Sequence, residues 1–215
     1  MDARANGEEP QGSELFADAG LYVRGEGELG TGLVAERIVT CVQGGGGSSP
    51  HPFGRAMSLT ITREAVYSGT GEAFEIRRYS LDGELERIMR WPSHDLTIRK
   101  GHVDAYQDSN PDGESDRIWE ARRRDFIESA LPSAFPAFVR LETDPHGNVW
   151  AEWFRPPGEP HHAWSVFDTD GVFLGTVRLP SDLTVTDITD DLILGVTRDE
   201  LGVERVGVYT LLKPG

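Results

Sequence analysis

Cysteine is nearly absent: Cys41 is the only one in 215 residues. A single thiol excludes an intramolecular disulfide and any zinc site built from cysteines. As a small, often buried hydrophobe it needs no role of its own. Basic residues are scarce too, 21 against 36 acidic ones, for a formal net charge of −15. A surface of that sign repels phosphate backbones, so nucleic acid is not an expected partner. The densest basic run, Arg122-Arg123-Arg124, is flanked by Glu120 and Asp125 and reads as one solvated helix face. No stretch approaches the ~20 apolar residues of a membrane-spanning helix. Met1–Ser13 is a polar, Gly-rich tail without the apolar core of a secretory leader, so no export signal is read there and the compartment stays open.

Motifs that carry chemistry are also missing. The run Gly44-Gly45-Gly46-Gly47-Ser48-Ser49 lacks the Gly-Lys-Ser/Thr of a phosphate loop and reads as a flexible loop. There is no Gly-x-Ser-x-Gly elbow. His161-His162 follow an exposed Pro-rich loop, and neighbouring residues seldom both point at one ion. Asp168-Thr169-Asp170-Gly171 lacks the later ligands of a calcium loop and fits a hairpin turn better. No catalytic residue, metal ligand or cofactor is therefore expected.

What the sequence does contain is an internal repeat of short alternating strands. The first full copy runs Ser58–Thr62, Ala65–Gly69, Phe74–Tyr79 and Leu85–Met89, with Asp82-Gly83 at a tight turn. The second runs Phe138–Leu141, Asn148–Trp153, Ala163–Phe167 and Phe173–Val177. A third, lacking its last strand, covers Thr184–Ile188, Leu192–Val196 and Val206–Tyr209, and a partial copy covers Gly20–Arg24 and Leu33–Val39. Tandem four-stranded antiparallel units are the pattern of β-propeller blades, so an all-β fold is expected over 14–215. One segment, about 102–131, is helical instead, with Ile118, Trp119, Arg122, Phe126, Ile127 and Ala130 near helical spacing. Asp116 is its expected N-cap, Pro132 its stop, and Asn110-Pro111-Asp112-Gly113 a turn dividing it. Trp150, Trp164, Phe167, Tyr67, Tyr79 and Tyr209 are expected to pack between sheets, and Trp119 to dock the helix.

Two passages, Val166–Pro180 and Asp199–Tyr209, together with Pro52-Phe53-Gly54-Arg55, resemble a bacterial family of six-bladed β-propellers related to the NHL-type propellers. The resemblance spans about 20–211. It implies a propeller with a helical insertion between blades and, in many relatives, export to the cell envelope; it transfers no catalytic residue. Against that pattern the chain is N-terminally truncated by about two blades and the export signal.

Loop lengths select a face. Connections between the first and second, and the third and fourth, strands of each unit are tight. Every long segment falls in the other set: Gln43–Ala56, Trp91–Ala137, Arg155–His162 and Arg198–Gly202. Binding residues concentrate on variable loops held by a rigid scaffold. That face, with the central channel opening on it, is thus the expected site for a protein, peptide or envelope polymer. Its candidate ligand-binding residues are Arg55, Trp153, Arg155, His161, His162 and Arg198. Two alternatives stand beside this non-catalytic scaffold. One is a metal-dependent hydrolase or lyase with its ion in the channel, for which Thr60, Glu142 and Asp187 are the nearest ligands. The other is a propeller fragment that self-associates through open blade edges.

Overall fold

The computed structural model describes residues 14–18, 37–44, 47–92, 94–109, 115–159, 162–199 and 202–212. They are mostly β: fourteen strands form four antiparallel sheets, accompanied by two helices. The first sheet holds β1 (Glu14–Asp18), β2 (Arg37–Gly44) and β3 (Gly47–Pro50). The second holds β4 (Ser58–Ile61), β5 (Ala65–Gly69), β6 (Glu75–Ser80) and β7 (Leu85–Arg90). Helices α1 (Lys100–Gln107) and α2 (Asp116–Glu128) follow. The third sheet is β8 (Arg140–Thr143), β9 (Val149–Glu152), β10 (His162–Phe167) and β11 (Phe173–Leu179). The fourth is β12 (Thr184–Ile188), β13 (Leu192–Arg198) and β14 (Glu204–Thr210). Within each sheet the strands lie in chain order.

One turn chemistry recurs. Asp144, Asp168 and Asp199 each accept, through Oδ1, the backbone N–H four residues on, at 2.8–3.0 Å. Ser80 does the same through Oγ at 3.1 Å. In each turn the residue three further on is a glycine whose N–H returns to the first carbonyl. These glycines, Gly83, Gly147, Gly171 and Gly202, have φ between 74° and 86°, a region that penalises any Cβ. The same short cassette thus closes β6–β7, β8–β9, β10–β11 and β13–β14.

The sheets stack in series. Ala65, Tyr67, Ile76 and Met89 of the second sheet meet Leu141, Val149, Ala151 and Phe167 of the third, with Trp91 and Phe138 between them. On the opposite face of the third sheet, Trp150, Trp164 and Val166 meet Val185, Ile188 and Ile193 of the fourth. Alternation sends neighbours to opposite faces, so Val149 and Ala151 face one way and Trp150 the other. Because both faces are covered, all six residues of β10 are buried. The first strands adjoin as well: the Leu141 N–H donates to Ser58 Oγ at 2.7 Å, and Arg140 donates to the Val185 carbonyl at 3.0 Å.

Several expectations need correction. Phe138 precedes the strand assigned to it, which begins at Arg140. Its ring instead occupies the space beside Gly69, where a Cβ would sit 2.5 Å from Phe138 Cζ. Of the glycine run, Gly44 ends β2 and Gly47–Ser49 open β3, with Gly44 paired to Gly47, while Gly45 and Gly46 lie outside the described residues. Helix α1 starts at Lys100, and Ser115 rather than Asp116 holds the N-cap position of α2. Asp116 lies in the first turn, where a carboxylate complements the helix dipole. The Asn110–Gly113 turn, residues 1–13 and Gly20–Arg24 lie outside the described residues. Of Leu33–Val39, the described part, from Arg37 onward, opens β2. Strand β1 carried no sequence expectation. The connection at Arg198–Gly202 is not long: the Asp199 turn closes it.

A Cβ at Gly171 would lie 2.7 Å from Met89 Cγ and 2.9 Å from its sulfur. Gly171→Ala is therefore expected to cost about 1–3 kcal/mol in urea unfolding, from φ strain plus overpacking. Gly101→Ala, in α1 with nothing within 4 Å, is expected to be neutral or to stabilise by up to about 1 kcal/mol.

Candidate functional site

The two helices have little apolar surface of their own and need an anchor. Phe53 provides it: its ring, 1 % exposed, lies 5.0–5.5 Å from Tyr106, Phe126 and Phe135. Trp119 and Phe154 complete this cluster, so Trp119 docks α2 as expected. Beneath it lies His51, 3 % exposed and 5.6 Å from the Phe126 ring. His51 Nδ1 accepts the Phe53 N–H at 2.9 Å, while Nε2 has no partner among the described residues. The insertion between β7 and β8 is thus pinned to the end of the sheets where the β9–β10 connection also emerges.

Between those two connections is a cavity of about 260 Å³. One wall is the segment from His94 to Arg99, with His102 and Phe135. The other is Trp153, Phe154, Pro156 and Glu159, closed by Ala163 and Arg178. The Trp153 indole N–H donates to Ser165 Oγ at 2.8 Å, and its ring stacks on His94 with centroids 4.1 Å apart and planes 22° apart. Burial holds His94 below the ordinary histidine range, against the pull of the Asp95 carboxylate, so the stack is neutral at pH 7. Phe135 and Phe154 form a second stack at 4.8 Å, with His102 tilted on Phe135 at 5.1 Å.

The charges differ in their pairing. Hydrogen bonds from Thr97 and then from Arg99 keep the Asp95 carboxyl far below the usual carboxylate range. Arg99 and Asp95 therefore satisfy each other. Among the described residues, no hydrogen bond or ion pair engages the guanidinium of Arg178. The volume lies just under the ~300–1,000 Å³ of ordinary small-molecule pockets. It has room for one side chain or a small ring, between the apolar stacks and Arg178.

Of the expected ligand-binding residues, Trp153 lines this cavity. Arg155 lies between two lining residues, but its guanidinium is bound to the Ser181 carbonyl. Arg55 pairs with Glu72, and Arg198 with Glu204 at 2.7 Å. His161 lies outside the described residues. His162 is not a loop residue: it opens β10, is buried, and places Nε2 2.6 Å from Glu152 Oε1. Glu152 Oε2 accepts from Arg140 Nε at 2.8 Å, and Arg140 lies 4.9 Å over the Trp164 ring. His162 therefore belongs to a polar tie across β8, β9 and β10.

Thr60, Glu142 and Asp187 do not line the cavity, which lies between the β7–β8 and β9–β10 connections rather than along the first strands. Glu142 lies 3.8 Å from Arg140, and Asp187 bonds its neighbour's N–H. Among the described residues no group of three or more His, Cys, Asp or Glu could hold a metal ion. At the opposite end of the sheets a wider cavity, about 620 Å³, opens between the turns at Thr62–Glu64 and Asp144–Gly147, lined also by Tyr67, Arg78 and Thr169. There Arg78 pairs with Glu86 and bonds Tyr67 Oη at 3.3 Å. No helix among the described residues is long and apolar enough to cross a membrane.

Sequence reasoning missed His94, His102, Phe135 and Arg178. None sits in a motif; the available signal was the cluster of His, Asp and Arg opening the long insertion. Comparison with protein-family models gave no match, and a search of curated proteins gave none either.

Burial lowers His51 from 6.5 to about 4. Unfolded His51 takes its proton near 6.5, whereas the folded side chain resists until about pH 4. Stability is accordingly full above pH 6.5 and declines as pH falls toward 4, by about 3 kcal/mol from this group. In His51→Asn, which keeps an acceptor for the Phe53 N–H, urea midpoints between pH 7 and 4 are expected to fall less than in the parent.

Proposed function

We propose that this chain is a non-catalytic β-propeller scaffold, of the NHL-like six-bladed kind, that holds a peptide segment of a protein partner on its long-loop face. The propeller reading is supported by serial sheet stacking and by the side-by-side first strands β4, β8 and β12. The binding reading rests on one observation: the β7–β8 and β9–β10 connections converge on a cavity the size of a side chain, floored by Trp153 and rimmed by Arg178, which is unpaired among the described residues.

An apolar or aromatic side chain of the partner enters beside the His94–Trp153 and Phe135–Phe154 stacks. An adjacent acidic side chain meets Arg178. Recognition of this form draws affinity from a desolvated anchor and orientation from one charge-assisted hydrogen bond.

A selection from a random peptide display library against the purified chain tests the proposal. The enriched peptides are expected to carry an aromatic or aliphatic residue beside an acidic one. Trp153→Ala is expected to weaken them at least tenfold, and Arg178→Ala about fivefold to tenfold, as for loss of one charged hydrogen bond. His146→Ala, on the opposite face, should leave binding unchanged. Peptides that bind Trp153→Ala and Arg178→Ala as well as the parent would contradict the site.

A further inference from the structure

Four charged side chains, Asp95, Arg99, Glu159 and Arg178, line the cavity beside Trp153. Two of them neutralise each other, since Arg99 bonds Asp95. Of the two histidines, His102 Nδ1 accepts the Arg99 N–H at 3.2 Å, and burial keeps His94 neutral at pH 7. Glu159 and Arg178 remain. Among the described residues neither side chain has a hydrogen-bond or ion-pair partner, and no ion pair joins the two. The backbone holds both in place. Arg178 stands on β11 in register with Ala163 of β10. Glu159 ends a turn in which its N–H donates to the Pro156 carbonyl at 3.1 Å. Pro156 and Pro157 restrict that turn through their rings, and Gly158 takes φ 86°. A Cβ at Gly158 would meet Ala105 Cβ at 3.6 Å, so the turn rests against α1.

A cavity that presents one open carboxylate and one open guanidinium around apolar stacks matches a ligand with opposite charges beside an apolar group. Resting on the peptide reading above, we propose that the bound segment carries a basic residue as well as an acidic one. Its basic side chain meets Glu159 while its acidic side chain meets Arg178, and the aromatic or aliphatic anchor enters between them. The charge of the whole chain favours the same ligand. At −15 it repels a segment whose only charge is acidic, and a neighbouring lysine or arginine offsets that repulsion and speeds the encounter. Glu159 and Arg178 are both exposed, so each ion pair adds orientation and selectivity more than affinity.

Parallel selections from one random peptide display library, against the parent and against Glu159→Lys, test this. Peptides selected by the parent are expected to carry Lys or Arg close to the anchor. Those selected by Glu159→Lys are expected to carry Asp or Glu there instead. A parent-selected peptide should bind Glu159→Gln about twofold to fivefold more weakly than the parent, the range of an exposed ion pair. That difference should vanish when the basic residue of the peptide is replaced by Gln, and high salt should narrow it. Melting midpoints of both variants should match the parent, because the Glu159 side chain is exposed. Peptides that need Trp153 and Arg178 but show no basic preference, and that bind Glu159→Lys as well as the parent, overturn this inference and leave the peptide site standing. Peptides indifferent to Trp153 and Arg178 overturn the site, and this inference with it.

Discussion

The rest of the structure depends on the two-sided burial of the third sheet. Trp150 and Trp164 fill one face, and Phe167, Val149 and Ala151 the other, so the second and fourth sheets share one support. Each such ring removes ~150–250 Å² from water, more than any single aliphatic contact here supplies. Burial on both faces leaves no solvent side for polar groups, yet β10 carries Ser165, His162 and the Trp164 indole N–H, the last without a hydrogen-bond partner among the described residues. Ser165 receives the Trp153 indole N–H, and His162 is bonded to Glu152. Both polar groups are thereby satisfied where an unpaired one would cost about 1–3 kcal/mol.

The Trp153–Ser165 bond connects the support to the candidate site. Trp153 leaves β9 at the end where the long connections emerge, and its bond to Ser165 fixes the ring that His94 stacks on. The insertion is not self-supporting: its helices hold position through Phe53 and its ring of aromatic neighbours. At the other end of the sheets, compact Asp/Ser-x-x-Gly turns leave little chain to vary. The asymmetry between faces follows from where the cassette is used and where it is not. Its use at β13–β14 makes the fourth sheet plain on both ends, and that sheet contributes nothing to the cavity.

Strands were legible where alternation ran up to a tight turn, as at Ala65–Gly69 after the Thr62 turn and Thr184–Ile188 before the Thr189 turn, whose bounds match β5 and β12. Legibility failed where tertiary fit overrode local pattern. Phe138 alternates like a strand residue, yet the space beside Gly69 draws its ring out of the ladder. Glycines 44 and 47 read as flexible chain because propensity says nothing of a pairing partner. At the site, Trp153 was legible as an aromatic at a strand end before a long loop. His94 and Arg178 were not, because they line one cavity only once the β7–β8 connection is folded against β11, the last strand of the third sheet. His162 was misread as a loop residue, since a Pro-rich approach hides where a strand begins.

Amide hydrogen exchange measured residue by residue tests the shared-support account most directly. If the third sheet holds its neighbours, the amides of β9 and β10 exchange only through global unfolding, and their protection equals the stability from urea unfolding. Those of β7, β11 and β14 exchange earlier, through local opening. The account is contradicted if β10 exchanges faster than β5 and β13, for then the second and fourth sheets would keep their structure without the sheet between them.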